Sequence, residues 1–183
     1  MKKTTVLLLF IMGFAFGQLR VGLDVNRETK MSIESISLKQ KPEGMGINIG
    51  YEQTLFFELI GVGVEYVHST VTEIDDDHDH DHDHDEEEDE KSAMASLVSG
   101  YAVAKIPLGP MFKGVARLGM SLPLEEGFGA GLMYGAGVRV KPPVFPIGFE
   151  FIYSIHDIKP EEGDLGDLKF TYNRMNLSMT YSF

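Results

Sequence analysis

The final segment of the chain, from Met175 to Phe183, alternates large apolar with polar side chains without a break. A period of two places the two sets on opposite faces of an extended strand. A strand half-buried in a soluble sheet could alternate in the same way, but as a last strand it would leave a sheet edge uncovered. In a closed barrel the last strand pairs with the first, so no cover is needed. The segment therefore predicts the closing strand of a β-barrel.

Earlier segments repeat this alternation and are separated by polar or proline- and glycine-rich stretches. They are residues 19–26, 45–52, 60–67, 92–106, 112–120, 132–141 and 149–156. The phase of 92–106 stays open, because Leu97, Tyr101 and Val103 favour one facing while Val98, Ala102 and Ala104 favour the other. With the closing strand, the pattern predicts an all-β fold, an eight-stranded antiparallel up-and-down transmembrane β-barrel, with the even strand number of bacterial barrels.

The connections between these segments alternate in length. Counted from the N-terminus they run long, short, long, short, medium, short and long. The first includes the polar, irregular segment 27–40, the medium one is residues 121–127, and the last is the polar loop 157–167. Outer-membrane barrels have short periplasmic turns and longer external loops in this order. In a soluble β-sandwich or lipocalin, short and long connections are not expected to alternate along the chain. The alternation therefore favours a membrane barrel.

The two faces of the predicted strands differ in chemistry. One face is rich in Phe, Tyr, Val, Leu and Met, with Tyr51, Tyr66, Tyr134, Tyr153, Tyr181 and Phe183 as candidates for interfacial girdles. The other carries glycines and the ionisable residues Arg20, Glu52, Glu65, Arg117, Arg139, Glu150 and Arg174. The interior of an eight-stranded barrel is just wide enough for side chains. We therefore expect the charges inside, with Glu150 beside Arg139; the alternative is a soluble sheet with a charged outer face.

The N-terminus has the pattern of a secretory signal. Lys2 and Lys3 precede an apolar run from Val6 to Phe16, and Ala15-Phe16-Gly17 supplies small residues at the cleavage positions. The run is too short for a transmembrane helix, which needs about 20 residues. We expect residues 1–17 to be a cleaved signal peptide and residues 18–183 to form the exported barrel domain.

Composition excludes several classes of protein. The chain contains no cysteine, which excludes disulfides, thiol catalysis and lipoprotein anchoring. No later segment has the apolar length of a transmembrane helix. The whole formal net charge of −12 comes from residues 75–90, and the rest of the chain is neutral overall. Because no basic face is indicated, we expect no nucleic-acid partner.

The acidic stretch is also rich in histidine and lies in a predicted external loop, residues 73–91. Four histidines alternate with aspartates; the candidate metal ligands are His78, His80, His82, His84, Asp79, Asp81 and Asp83. Imidazole and carboxylate suit zinc best, with copper or nickel as alternatives, and the spacing is not that of a calcium-binding EF-hand. His68 could supplement this site. The alternative is a solvated acidic tip that binds nothing.

One histidine invites an enzymatic interpretation. His156 is predicted to face inward, close to Ser154 and Asp157. No G-x-S-x-G motif is present, and a single histidine at a strand end is more often structural. We expect no catalytic residue and no enzymatic activity.

On these residues, Gln18 to Phe183 resembles the small outer-membrane barrels of the OmpA/OmpX type, the outer membrane protein beta-barrel domain family. The resemblance is one of pattern, carried by the alternating strands and the terminal aromatic residue. It implies the outer membrane of a Gram-negative cell, a monomer, contact with outer-membrane lipid, and recognition of the terminal aromatic by the assembly machinery. No C-terminal peptidoglycan-binding domain follows, so tethering to the cell wall is not implied.

Together these features predict a structural, non-enzymatic surface protein with a filled interior and a loop that binds divalent metal. Three alternatives stay open: a narrow channel or passive transport barrel, a soluble exported metal-binding barrel, and an adhesin acting through its external loops.

Overall fold

The computed structural model describes residues 17–33, 36–40, 45–55, 58–69, 96–125, 127–160 and 169–183. Every regular element within these ranges is a β-strand. The described part of the chain has no helix long and apolar enough to cross a membrane. The strands are β1 (Gly17–Ile33), β2 (Ile36–Gln40), β3 (Gly46–Leu55), β4 (Ile60–Ser69), β5 (Ser96–Pro107), β6 (Phe112–Pro123), β7 (Phe128–Val140), β8 (Ile147–Pro160) and β9 (Lys169–Ser182).

The sheet closes on itself. Strands β3 to β9 follow one another in chain order, β1 pairs with β3 on one side, and β1 pairs with β9 on the other. The closing pair runs from Gln18 opposite Ser182 to Ser32 opposite Lys169, and every pairing is antiparallel. The predicted closed eight-stranded antiparallel barrel is confirmed.

The two ends of the barrel have different connections. Residues 56–59, 108–111 and 141–146 connect strands at the end where Gly17 and Phe183 also lie, which we call the short-turn end. The strand ends that residues 70–95, 124–127 and 161–168 join, and the ends of β1 and β3 that are joined through β2, are at the opposite end, which we call the long-loop end. The connection 124–127 is no longer than the turn 56–59. The predicted medium loop at 121–127 is therefore wrong, because β6 continues to Pro123.

Two other predicted loops are partly strand. Residues 27–40 were expected to be irregular, but β1 continues to Ile33 and pairs with the short strand β2. The alternation of Met31 and Ile33 with polar neighbours continues the strand pattern. Likewise β8 extends to Pro160, into the loop predicted at 157–167.

A bulge in β1 changes which residues face inward. The register with β9 shifts between Asp24 and Asn26, so Val25 and Asn26 both point outward and Arg27 is buried. The alternation of residues 19–26 predicts that Asn26 faces inward with Arg20 and Asp24. This prediction is wrong because a bulge adds one residue to the strand and reverses its phase.

Apolar side chains face out of the barrel and ionisable ones face in. Phe151 is 42% exposed while its neighbour Glu150 is 1% exposed, and Leu19 at 41% precedes Arg20 at 1%. Tyr153, Tyr181 and Phe183 are also exposed. The expected orientation of the two faces is confirmed.

The interior is not entirely polar, and β5 shows why its phase could not be predicted. Leu97, Tyr101 and Val103 face inward while Ala102 and Ala104 face outward, so both faces of this strand are apolar. Two apolar clusters fill parts of the interior. One lies towards the long-loop end and contains Val67, Leu97, Ile158, Phe170 and Tyr172. The other lies against the β5–β8 wall and contains Tyr101, Val103, Val115, Met133 and Ile152.

Two sequence predictions lie largely or wholly outside the described residues. Residues 1–16 of the expected signal peptide are not described, and Gly17 pairs with Gln53 within the barrel. The loop 73–91 is not described at all. Signal cleavage and loop metal binding therefore stay predictions.

Candidate functional site

The middle of the barrel holds a cluster of ionised side chains from six strands, which we call the central cluster. Its members are Arg20, Glu52, Lys105, Arg117, Arg139 and Glu150. All are buried. Each lies at an inward position of its strand, where the two-residue period directs the side chain to the barrel axis. Because the sheet closes into a barrel, residues as far apart in sequence as Arg20 and Glu150 come into contact.

Glu52 and Glu150 organise the central cluster as acceptors. Arg117 Nη2 donates to Glu150 Oε1 at 2.6 Å and to Glu52 Oε1 at 2.5 Å. Arg139 Nη2 donates to both carboxylates, at 3.3 Å to Glu52 Oε2. Lys105 Nζ lies 2.8 Å from Glu52 Oε2. The predicted Arg139–Glu150 pair is therefore present, within a larger network that cross-links the walls.

A second run of charges continues towards the long-loop end. Glu65 contacts Arg20 through one oxygen and Arg174 through the other. Arg174 Nη1 donates to Asp24 Oδ1 at 3.1 Å, and Asn176 Nδ2 donates to the same oxygen at 3.0 Å. Buried ions are tolerated only when paired, and here the pairing extends along the interior.

Tyr101, on β5, contacts the central cluster through its hydroxyl and its ring. Its hydroxyl donates to Glu52 Oε1 at 3.2 Å and accepts from Arg20 Nη2 at 3.4 Å, and the Arg117 guanidinium lies 4.8 Å from its ring centroid. A Cβ added to Gly63 would meet the ring at 2.7 Å, and one added to Gly119 would meet Tyr101 Cβ at 2.7 Å. The two glycines therefore provide the space in which Tyr101 lies.

We expect Gly119→Ala to destabilise the barrel by about 1–3 kcal/mol, because overpacking forces side chains and backbone to shift. The added Cβ would also lie 2.1 Å from the Gly100 carbonyl oxygen. The matched control is Gly100→Ala on the adjoining strand, where an added Cβ meets nothing within 4 Å. Urea unfolding in lipid vesicles measures both variants; equal effects would show that Tyr101 is not confined as described.

His156 is buried in a hydrogen-bonded chain that does not activate a nucleophile. Arg174 Nε donates to His156 Nε2 at 3.3 Å, so that nitrogen is the unprotonated one. Nδ1 then carries the proton and donates to Ser121 Oγ at 2.7 Å. A catalytic histidine must accept a proton from its serine, which this tautomer cannot do for Ser121. The geometry fits the structural role expected for His156.

The predicted metal ligands lie outside the described residues: His78, His80, His82, His84, Asp79, Asp81 and Asp83. Among the residues that are described, no three His, Asp or Glu side chains lie close enough to hold a metal ion. His68 lies at the long-loop end of β4 and faces outward, with Nδ1 2.9 Å from Ser96 Oγ. Its ring stacks on Tyr66 at 6.5 Å between centroids.

A second group of charges occupies the short-turn end and was not foreseen from the sequence. Glu58, in the turn between β3 and β4, accepts a hydrogen bond from Lys113 Nζ and lies 4.0 Å from Lys141 Nζ. Partial burial alone would raise the pKa of the Glu58 carboxyl. The hydrogen bond and charge of Lys113, with the charges of Lys141 and Lys105, outweigh this and hold that pKa below its ordinary value.

Comparison with known proteins gives matches in structure only. Neither the family models nor the curated proteins match the chain. A designed transmembrane β-barrel superposes with a TM-score of 0.51 at 9% identity, covering 92% of this chain and 96% of that one. The attachment invasion locus protein Ail of Yersinia pestis gives a TM-score of 0.48 at 12% identity, covering 91% and 99% of the two chains. At such identities the designed barrel is similar to this chain in fold alone.

Proposed function

We propose that this chain is an outer-membrane β-barrel of the cell surface, structural and non-enzymatic, with a filled interior. The observation that carries the proposal is the sorting of faces: apolar side chains cover the outside while paired ions lie inside. Soluble monomers rarely expose contiguous apolar surface beyond a few hundred Å². The outward face of this barrel is apolar on every one of the eight closed strands.

The height of the apolar surface suits a bilayer. On β8 the outward residues are apolar from Ile147 to Ile155, and the next outward positions are Asp157 and Lys159. A tilted strand crosses the hydrocarbon core with about 9–11 residues. Tyr181 and Phe183 pack edge to face with centroids 5.2 Å apart at the short-turn end. Aromatic rings at that level suit the membrane interface.

Membrane residence is tested by fractionation. The barrel should stay in the membrane pellet after a carbonate wash, and its gel mobility should change on heating as folded barrels do. Release into the supernatant, with mobility independent of heating, would favour the rival assignment, a soluble exported barrel.

The filled interior predicts little ion conduction. The central cluster occupies the middle of the barrel, and the apolar cluster of Val67, Leu97 and Phe170 lies across the interior towards the long-loop end. Planar-bilayer recordings should therefore show no steady conductance. A stable open level would favour the alternative of a narrow channel.

We further propose that the loop at residues 73–91 binds divalent metal, zinc in first place. The support is the ligand content of the sequence, four imidazoles alternating with carboxylates. Residues 73–91 come between β4 and β5 in the chain, and Ser69 and Ser96, which end and begin those strands, are at the long-loop end. In outer-membrane barrels the end with the longer loops is the external one.

Calorimetric titration of the folded barrel with zinc should show saturable binding, because several imidazole and carboxylate side chains are available as ligands. Replacing His78, His80, His82 and His84 by alanine should abolish it, because imidazole supplies the strongest ligands here. The control is His68→Ala, which leaves those four ligands intact and should retain most binding. Undiminished binding in the fourfold variant would contradict the histidine model.

A further inference from the structure

The inward side of the short-turn end is lined by cations. Lys105 and Arg139, the two members of the central cluster that lie close to the ends of their strands, are buried on this side of the cluster. Lys113 and Lys141 lie nearer to solvent, with side chains 28% and 20% exposed. We call these four residues the basic mouth. They come from β5, β6, the end of β7 and the turn after it, so the closed sheet brings them together.

One carboxylate, that of Glu58, reaches into the basic mouth from the turn. Glu58 has φ of 62°, which is costly for a residue with a side chain. Leu59, the residue after Glu58, accepts a backbone hydrogen bond of 2.7 Å from Lys105 N. The Glu58 carboxylate then contacts Lys113 and Lys141 while remaining 48% exposed. The strained backbone holds an acceptor among the lysines.

The buried carboxylates of Glu52 and Glu150 do not satisfy all the hydrogen-bond donors of the basic mouth. Glu52 and Glu150 already accept from Arg117. Lys105 and Arg139 therefore also share Gln18 Oε1 as an acceptor, at 3.2 Å from Lys105 Nζ. Within the described part of the chain, Arg139 Nε and Gln18 Nε2 are buried without a hydrogen-bond partner. Buried donors without acceptors are costly, so this end has donor capacity for a further anion.

The balance of buried charges in the barrel also favours binding of an anion. Among the described residues the buried cations are Arg20, Arg27, Lys105, Arg117, Arg139 and Arg174. The buried carboxylates are Asp24, Glu52, Glu65 and Glu150. Because cations exceed carboxylates inside a low-dielectric wall, an added anion at the accessible end is favoured electrostatically.

We propose that the basic mouth is a binding site for a phosphate-bearing anion, and that the Glu58 carboxylate occupies it in this structure as a built-in competitor. Lys113 and Lys141 would make first contact, since their ammonium groups are reachable from solution and bind phosphate as point charges. The basic mouth shares no residue with the proposed metal ligands in residues 73–91, so the two proposals can fail separately.

The test titrates inorganic phosphate into the full barrel domain folded in a non-ionic detergent, followed by amide chemical shifts. Two variants remove the competitor: Glu58→Gln keeps the side-chain shape, and Glu58→Gly suits the positive φ. Both should bind phosphate at least about tenfold more tightly than the unaltered protein, because the carboxylate no longer competes. Heat-modifiable mobility confirms that each variant is folded.

Adding Lys113→Gln and Lys141→Gln to the Glu58→Gly variant should abolish binding. Adding Lys159→Gln at the long-loop end instead should leave it unchanged. Equal phosphate affinity with and without Glu58, or binding that survives loss of both lysines, would overturn the proposal.

The bound phosphate group could belong to a lipid headgroup or to a free anion, and comparing two lipids distinguishes these sources. In nanodiscs, phosphatidylglycerol presents a phosphate headgroup next to the barrel, whereas zwitterionic phosphatidylcholine presents no net anion. If the headgroup fills the site, Glu58→Gly should bind free phosphate more weakly in phosphatidylglycerol than in phosphatidylcholine. Equal affinities in the two lipids, with the tenfold gain retained, assign the site to free phosphate.

Discussion

Replacing Glu52 with leucine is expected to lower the free energy of unfolding by about 3–5 kcal/mol, since removing one partner of a buried ion pair leaves an uncompensated charge. Glu52 accepts from Arg117, Arg139 and Lys105, and is 1% exposed. In Glu52→Leu these cations would have to share Glu150, which Arg20 also contacts. Urea unfolding of the barrel in lipid vesicles measures the loss.

The control is Glu28→Leu, which also removes a carboxylate from a strand. Glu28 lies 3.4 Å from Lys30 Nζ and 3.9 Å from Lys39 Nζ, with its side chain 26% exposed. Pairs open to solvent contribute about 0–1 kcal/mol, so this variant should unfold almost as the unaltered protein does. If both replacements had the same small effect, the central cluster would not stabilise the fold as described.

Leu118→Arg is expected to destabilise the barrel by about 2–4 kcal/mol in a bilayer, the cost of arginine near the midplane of a lipid-facing strand. Leu118 lies in the middle of β6, is 59% exposed, and is flanked across the sheet by outward Ala102 and Tyr134. In a water-soluble barrel the same change at an exposed position would be almost neutral. Unfolding titrations in vesicles distinguish these outcomes.

Asn26→Arg is the matched control for Leu118→Arg. Asn26 also points outward, but it follows Val25 at the end of the apolar run on β1. Near the interface the cost of arginine falls to about 0–1 kcal/mol. A large cost at Asn26 or none at Leu118 would contradict the proposed position of the membrane.

The parts of the fold that repeat every second residue could be predicted from the sequence. Alternation along β8 and β9 correctly places Phe151 and Tyr181 outside and Glu150 inside, because strand geometry imposes that period on side chains. The Arg139–Glu150 pair was predictable for the same reason, since the two residues lie on neighbouring strands joined by a short turn.

The features that could not be predicted depend on contacts across the barrel or on breaks in the period. Tyr101 lies over Gly63 and Gly119, and its strand is apolar on both faces, so no local pattern reveals its direction. The β1 bulge reverses the phase at Asn26 without a glycine or proline to mark it. The β1–β2 hairpin was missed because residues 27–40 are largely polar.

The candidate sites divide in the same way. The histidine ligands are recognisable from sequence because their composition alone suggests metal chemistry, and they stay a prediction. The basic mouth gives no such signal: Glu58 reads as an ordinary turn residue, and Lys105, Lys113 and Lys141 are widely spaced in the chain. Only closure of the sheet brings them together.

The most direct test of the account asks whether the apolar outer face contacts acyl chains. Because the chain contains no cysteine, a nitroxide spin label can be placed at one position at a time. Labels at Leu118→Cys and Phe151→Cys should collide with oxygen, which dissolves in lipid, and be shielded from a water-soluble nickel complex. A label at Val144→Cys, on a turn where the native residue is 87% exposed, should collide with nickel. Nickel collision at Leu118 and Phe151 as frequent as at Val144 would contradict the membrane assignment.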